Sequence, residues 1–191
     1  LGTDMERVCH KAEEYAGVPV RPCYMYALTR EGRKPPMVHV RQSVYSLLEP
    51  KKKKGNVVNL LGYFSPLTDD CELYDLLGSA GVRTVHEISR CKDYEEYQTM
   101  SEANFNLVLH PEARFAAEDF HNRLQIPFIE LRRLYQTDKI ASQYQAFGRV
   151  LGVEFSDGAY RKKAEDAVAK FKEKRPDASF AIGECMNGDP F

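Results

Sequence analysis

The segment 56–62 constrains the fold more than any other part of the chain, because it is an apolar run that stops at a glycine and precedes a helical pattern. A strand that is covered on both faces needs continuous apolar side chains, which is typical of parallel sheets. Ligands in open α/β sheets bind just beyond the carboxyl ends of such strands. The segment therefore predicts a central parallel strand, and it directs the search for function to the loops after the strands.

The rest of the chain alternates between short apolar segments and amphipathic patterns with the helical period. Strands are predicted at 18–26, 56–62, 82–88, 105–109, 126–130 and 178–183. Helices are predicted at 5–16, 37–48, 67–80, 93–101, 112–124, 137–151 and 157–174. In the second helix the apolar face is assigned to Val40, Val44, Leu47 and Leu48. This alternation predicts an α/β fold with a doubly wound, Rossmann-like parallel sheet and helices on both faces.

Charge and composition exclude several classes of partner. The formal net charge of -1 over 191 residues argues against a nucleic-acid partner, which would require a basic surface. No apolar segment approaches the ~18 residues that span a bilayer, so no membrane segment is expected. The four lysines at 51–54 are the exception, and they fit either a solvated linker or a patch for phosphate or an acidic partner.

The cysteine content bears on the location of the protein in the cell. The five cysteines are odd in number and have no Cys-x-x-Cys spacing, which argues against a disulfide framework and predicts reduced thiols and a cytoplasmic location.

Segment 49–55 joins a proline, four lysines and a glycine without an apolar anchor. This composition predicts an internal boundary there.

Common catalytic motifs are absent from the sequence, including Gly-x-Gly-x-x-Gly, a phosphate-binding loop, Gly-x-Ser-x-Gly and His-Glu-x-x-His. One histidine stands out, because His110 follows strand 105–109 and precedes Pro111, which suits the first position of a helix. Its side chain could cap that helix or contact a ligand in the crevice, and the sequence leaves both interpretations open.

The order of several segments resembles the nitrogenase component I superfamily over about residues 4–191. The resemblance is carried by the residues at 57–62, 76–82, 94–97, 103–108 and 124–130. The superfamily includes the molybdenum-iron protein subunits, cofactor-assembly scaffolds, and dark-operative protochlorophyllide reductase with related tetrapyrrole reductases. By this resemblance, residues 1–50 are the end of a preceding α/β domain, 56–175 a complete Rossmann-like middle domain, and 176–191 the start of a third. The chain is then expected to be a piece of a longer protein.

The resemblance also implies a chemistry, multi-electron reduction at a metallocluster or tetrapyrrole. The implied partners are a homologous component I subunit and an ATP-dependent iron protein reductase. An iron-sulfur cluster or metallocluster is implied for the full-length protein, whereas none is expected in this piece, because the cluster cysteines belong mainly to the first domain. The piece alone is accordingly expected to be inactive. Two alternatives stay open: a nonenzymatic scaffold or carrier for a metallocluster or metal-tetrapyrrole, and an α/β interaction domain without a small ligand.

By pattern, His110 stands where the nitrogenase active-site subunit has a cysteine that ligates the catalytic cluster. His110 is therefore a candidate metal ligand, and Cys91 is a second one because it lies at the end of a predicted strand. Arg90 and Lys92 are candidates for holding an anionic group such as a carboxylated tetrapyrrole. Since parallel strands bring their carboxyl ends to one edge, His110, Cys91 and Arg90 are predicted to converge on one crevice. The alternative is that His110 caps its own helix and Cys91 faces solvent.

Overall fold

The computed structural model describes residues 2–24, 36–62 and 64–179. The described residues form seven α-helices: α1 (Met5–Ala16), α2 (Pro36–Tyr45), α3 (Glu72–Ser79), α4 (Tyr94–Gln98), α5 (Arg114–Leu124), α6 (Thr137–Leu151) and α7 (Gly158–Lys174). They also form four strands: β1 (Val57–Leu61), β2 (Thr84–His86), β3 (Phe105–Val108) and β4 (Phe128–Glu130). Short 3-10 helices lie at Ile88–Arg90, Thr99–Glu102 and Pro111–Ala113.

The four strands pair in parallel in the order β2-β1-β3-β4. The chain runs from β1 to the edge strand β2 and then returns to β3 on the other side of β1. The strand order therefore reverses between β1 and β3, and such a switch point opens a crevice at the carboxyl ends of the two strands. The prediction of a parallel sheet from 56–62, 82–88, 105–109 and 126–130 is confirmed.

Helices cover both faces of this sheet. Consecutive residues of a strand point to opposite faces, and consecutive residues of β1 pack into two different hydrophobic cores. Leu61 of β1 belongs to a cluster with Tyr45 of α2 and Phe120 of α5. Leu60 belongs to a second cluster with Leu77 of α3 and Phe147 of α6, as does Val58, two residues before it on the same face. The doubly wound α/β architecture predicted from the sequence is confirmed.

Helix α2 packs into the first of these cores. Tyr45 and Leu48 are almost fully buried there, and the Arg123 guanidinium of α5 donates to the carbonyl oxygens of both residues. The tract that follows is anchored too: the Lys53 Nζ donates to the Ser101 carbonyl at 2.7 Å, and Lys54 pairs with Glu102 at 2.7 Å. Two of the four lysines thus fix the segment against the Thr99–Glu102 helix. The division into domains at 49–55 stays a prediction.

The prediction of which residues form the buried face of α2 is wrong in part. The buried positions are Val38, Arg41, Tyr45 and Leu48, whereas Val40, Val44 and Leu47 are only partly buried. The observed positions follow a spacing of three or four residues, as one helical face requires. The sequence pattern misled because it counted only apolar residues, and the buried face of α2 includes an arginine.

Two predicted strands are not found in the residues that can be compared. Residues 18–24 form no strand, because Pro19 and Pro22 remove backbone donors that a ladder needs, and residues 25–26 lie outside the described part. Residues 178–179 form no strand either, and 180–183 lie outside the described part. Helix α3 begins at Glu72 rather than at 67, since the backbone N–H and carbonyl of Leu67 bind the side chains of Glu87 and Arg90 instead.

A glycine in α6 tests how closely the end of this helix is packed. A Cβ at Gly148 would lie 2.6 Å from the Val153 carbonyl oxygen, whereas at Gly78 of α3 it would meet nothing within 4 Å. We expect Gly148→Ala to lower the free energy of unfolding by about 1–3 kcal/mol through overpacking. Gly78→Ala should raise it by up to about 1 kcal/mol, because alanine favours the helix. Urea denaturation of both variants measures the difference, and equal midpoints would contradict the packing described.

Candidate functional site at the carboxyl edge of the sheet

The ends of β1 and β3 approach each other closely at the switch point. Gly62 follows β1, and a Cβ there would lie 3.1 Å from the His110 backbone nitrogen and 3.1 Å from the Leu109 Cβ. Only a residue without a side chain leaves the two strand ends in this contact without displacement. Gly62 therefore sets how near the loop after β1 comes to His110.

His110 is buried and caps the short Pro111–Ala113 helix. Its Nδ1 accepts a hydrogen bond from the Glu112 backbone N–H at 3.2 Å. A neutral imidazole carries one proton, so an accepting Nδ1 places that proton on Nε2. Binding of a metal through the Nε2 lone pair would move the proton to Nδ1 and break this cap. Capping and metal ligation are thus competing roles for His110.

Arg41 is a buried charge at this site that the sequence interpretation missed. Its Nη1 pairs with the Glu112 carboxylate at 2.7 Å, and its Nη2 donates to the Gly62 carbonyl oxygen at 2.8 Å. The guanidinium also lies 5.3 Å from the centroid of the Phe64 ring. We call Arg41, Gly62, His110 and Glu112 the switch-point cluster. The available signal was the spacing from Val38 to Tyr45, which places Arg41 on the buried face of α2.

Arg90 is engaged in a second network, built around the buried carboxylate of Glu87. Its Nη2 binds Asp69 at 2.7 Å and the Leu67 carbonyl at 2.8 Å, and its Nε binds Glu87 at 3.0 Å. Glu87 also accepts from the Leu67 N–H at 2.9 Å and from the Tyr74 hydroxyl. Burial, reinforced by Glu87, raises the pKa of Tyr74 to about 12. Arg90 therefore holds the loop after β1 against the end of β2.

Cys91 and Lys92 follow Arg90 directly. The Cys91 thiol donates to the Glu87 carbonyl at 3.5 Å, and its side chain packs against the core beneath α2 and α5. Burial raises the pKa of this thiol, and the carboxylates of Glu96 and Asp93 raise it further. Since the thiolate is the form that binds metals, this environment disfavours ligation. Lys92 is exposed, and its backbone N–H donates to Glu96 at 2.8 Å.

The structure places the predicted residues in two loops that flank β1. Residues 90–92 follow β2, and His110 follows β3. Because β1 lies between β2 and β3, these two strands are two strand spacings apart, which is about 10 Å. Convergence of the three side chains on one ligand stays a prediction. Within ranges 2–24, 36–62 and 64–179, no three His, Cys, Asp or Glu side chains form a group that could hold a metal ion. None of the helices described there is long and apolar enough to cross a membrane.

The fold and this edge define an α/β protein with a doubly wound parallel sheet and a crevice at its switch point. The sequence profile of the family described as "Nitrogenase component 1 type Oxidoreductase" matches residues 1–182. The chain therefore belongs to the nitrogenase component 1 type oxidoreductase family, and the resemblance stated from its sequence is confirmed. No curated protein matches the chain.

Solved structures give the same fold. One described as "Nitrogenase Cp1 at pH 5" is 21% identical, with a TM-score of 0.55 over 92% of this chain and 35% of the other. Another, "Nitrogenase Cp1 at pH 6.5", is also 21% identical, with a TM-score of 0.54 over 92% of this chain and 34% of the other. The chain thus spans about a third of the length of these relatives. At this level of identity the likeness supports the fold.

Proposed function

We propose that this chain forms one wall of a metallocluster or tetrapyrrole crevice in a nitrogenase-like component I subunit. The match of the family profile over residues 1–182 carries the proposal. The crevice at the switch point supports it, because open α/β sheets bind ligands there. A homologous component I subunit and an ATP-dependent iron protein reductase are the proposed partners in multi-electron reduction.

The residues at this edge fit a wall better than a complete metal site. His110 can offer an imidazole only by giving up its hydrogen bond from Glu112, and the Cys91 thiol has a raised pKa. The remaining ligands of a cluster would come from parts of the relatives' length that this chain does not span. A bound metallocluster would pass on electrons received from the reductase and a bound tetrapyrrole would accept them, while this wall would orient the group and exclude water.

A carrier or scaffold is the second candidate, and the geometry of His110 favours it. Because ligation through Nε2 would break the cap on the Pro111–Ala113 helix, a ligand bound here would be held less tightly than by an unengaged imidazole. Weaker binding suits a protein that hands its ligand over. The two candidates share the same crevice and differ in whether electrons reach the bound ligand.

Two substitutions at His110 separate its ligand role from its capping role. Asparagine caps helices well but has no imidazole, whereas alanine does neither. We expect His110→Asn to retain the melting temperature of the original chain and to lose binding of ferrous iron and of iron protoporphyrin IX. His110→Ala should lose binding and also about 0.5–2 kcal/mol of stability. Anaerobic titration followed by absorbance measures the binding, and thermal unfolding measures the stability.

The matched control is His121→Ala, since His121 is an exposed histidine of α5. It should leave both the binding and the melting temperature unchanged. Iron or porphyrin binding by His110→Asn equal to that of the original chain would reject the ligand role of His110 and leave the capping role alone.

A further inference from the structure

A cavity of about 180 Å³ opens on the other side of the sheet from the switch-point cluster. It lies between the start of α3, the helix α6 and the segment 131–134 that follows β4. Leu109 lines it, whereas the next residue, His110, belongs to the switch-point cluster. Successive residues of an extended chain point to opposite faces, which explains this division. We call this space the α3–α6 cavity.

The floor of the α3–α6 cavity is apolar. It is made by leucine and isoleucine side chains from all the surrounding segments: Leu67, Leu73, Leu109, Leu131, Leu134 and Ile140. A dry cavity of about 150 Å³ with such a lining accommodates a benzene-sized molecule. Sites for drug-sized ligands measure about 300–1,000 Å³, so the cavity is too small for a tetrapyrrole. It suits a body of about six carbon atoms.

The rim carries charge of both signs, and its carboxylate is already engaged. Glu72 accepts from the Tyr144 hydroxyl at 2.9 Å, and its other oxygen lies 3.8 Å from the donating Cys71 thiol. The carboxylate raises the pKa of Tyr144 further beyond the rise caused by burial. The tyrosine therefore stays a donor to Glu72 at neutral pH, and the negative charge on the rim is held in place.

Arg132 supplies the positive charge that is available to a ligand. Its backbone is clamped by Gln143 of α6, whose Oε1 accepts from the Arg132 N–H at 2.8 Å and whose Nε2 donates to the Arg132 carbonyl at 3.0 Å. The Arg132 guanidinium is exposed and has no hydrogen bond or ion pair within the part of the chain that is described. The cavity thus joins an apolar floor to an unengaged cation whose backbone is held in place by Gln143.

We propose that the α3–α6 cavity binds a small organic carboxylate with a compact apolar body, about the size of benzoate. The body fills the floor and the carboxylate pairs with the Arg132 guanidinium, for which a planar bidentate partner is the best fit. This site is distinct from the proposed crevice at the switch point, since it takes a smaller ligand on the other face of the sheet.

Titration calorimetry of the whole chain with three probes tests the proposal. The probes separate the contribution of the apolar body from that of the negative charge. Sodium benzoate has both the body and the charge, and it is expected to bind at one site with a Kd on the order of 1 mM. Benzyl alcohol keeps the body without the charge and should bind about tenfold more weakly. Inorganic phosphate has charge without an apolar body and should not bind. Equal affinity for benzoate and either other probe would overturn the proposal, as would the absence of saturable benzoate binding.

Variants assign the site. Arg132→Gln is expected to weaken benzoate binding about tenfold, because a charge-assisted pair is lost. Arg149→Gln, a matched change at an exposed arginine of α6 that does not line this cavity, should leave binding unchanged. Ile140→Trp should fill the cavity and abolish binding. Equal binding by Arg132→Gln and Arg149→Gln would overturn the assignment even if Ile140→Trp failed to fold.

Discussion

Replacing Arg41 with methionine is expected to lower the free energy of unfolding by about 3 kcal/mol, the lower end of what the loss of one partner of a buried ion pair produces. The Arg41 side chain is 8% exposed and that of Glu112 is 26% exposed. Methionine keeps much of the length and packing of arginine but cannot donate a hydrogen bond to the Glu112 carboxylate or to the Gly62 carbonyl. Both acceptors would then be left partly desolvated without a donor.

A control and a double-mutant cycle sharpen this test. Arg161→Met removes an arginine that pairs with Asp138 and Glu165 at the surface of α7, and such a change should cost at most about 1 kcal/mol. Glu112→Gln combined with Arg41→Met should be less destabilising than the sum of the single changes, since each single change leaves one charged group without its partner. Additive effects in urea denaturation would show that the pair contributes nothing.

The same substitution connects stability to the proposed site. Arg41 holds Glu112, and the backbone N–H of Glu112 donates to His110. Arg41 also holds the Gly62 carbonyl at the end of β1. Losing the guanidinium should therefore loosen both strand ends at the switch point, although Arg41 itself lies on a helix that precedes the sheet in sequence.

The centre of the sheet could be predicted because its inner strands, β1 and β3, are buried on both faces. The residues of β1 are all buried, so their apolar run survives in the sequence without interruption except at Asn59. Asn59 is tolerated because its side chain donates to Asn106 of β3 at 2.7 Å and to the Met100 carbonyl at 2.9 Å. Helices α1 and α6 were predicted at their observed bounds, since capping residues and the helical period are local signals.

The site could be predicted only in part, because its contacts join distant parts of the chain. Arg41 and Glu112 are 71 residues apart, and Leu67 and Glu87 are 20 apart. Hydrophobic periodicity does not report such pairs, and an arginine on a helix is ordinarily assigned to solvent. The position of His110 at a strand end was readable, yet whether its ring caps or ligates depends on which nitrogen meets the Glu112 N–H.

Strand order was a further limit on predicting convergence. The sequence places residues 89–92 and His110 after successive strands, but pairing puts β1 between β2 and β3. Reversal of the winding direction after β2 produces this order, and nothing in the separate strand patterns records it. The crevice at the switch point consequently gathers Gly62, His110 and Glu112 with Arg41, whereas Arg90 serves the loop that follows β1.

The second large effect is expected for Phe120→Ala, which should cost about 3–5 kcal/mol by leaving a cavity in the core. Phe120 is fully buried, and its ring meets that of Tyr45 edge-on at 5.1 Å between centroids. Phe171→Ala is the matched control, because it makes the same change on α7 at a residue that is 43% exposed, and it should cost far less. Thermal or urea denaturation measures both.

The manner of unfolding in Phe120→Ala also tests the predicted domain division. Tyr45 lies on α2, before segment 49–55, and Phe120 lies on α5, after it. If the contact between them belongs to one cooperative unit, the amides of α2 and β1 should lose hydrogen-exchange protection by the same amount. If 1–50 and 56–175 are separate units, β1 should lose protection while α2 keeps its own. Equal loss in both elements would reject a boundary at 49–55 and place α2 inside the domain that carries the switch-point cluster.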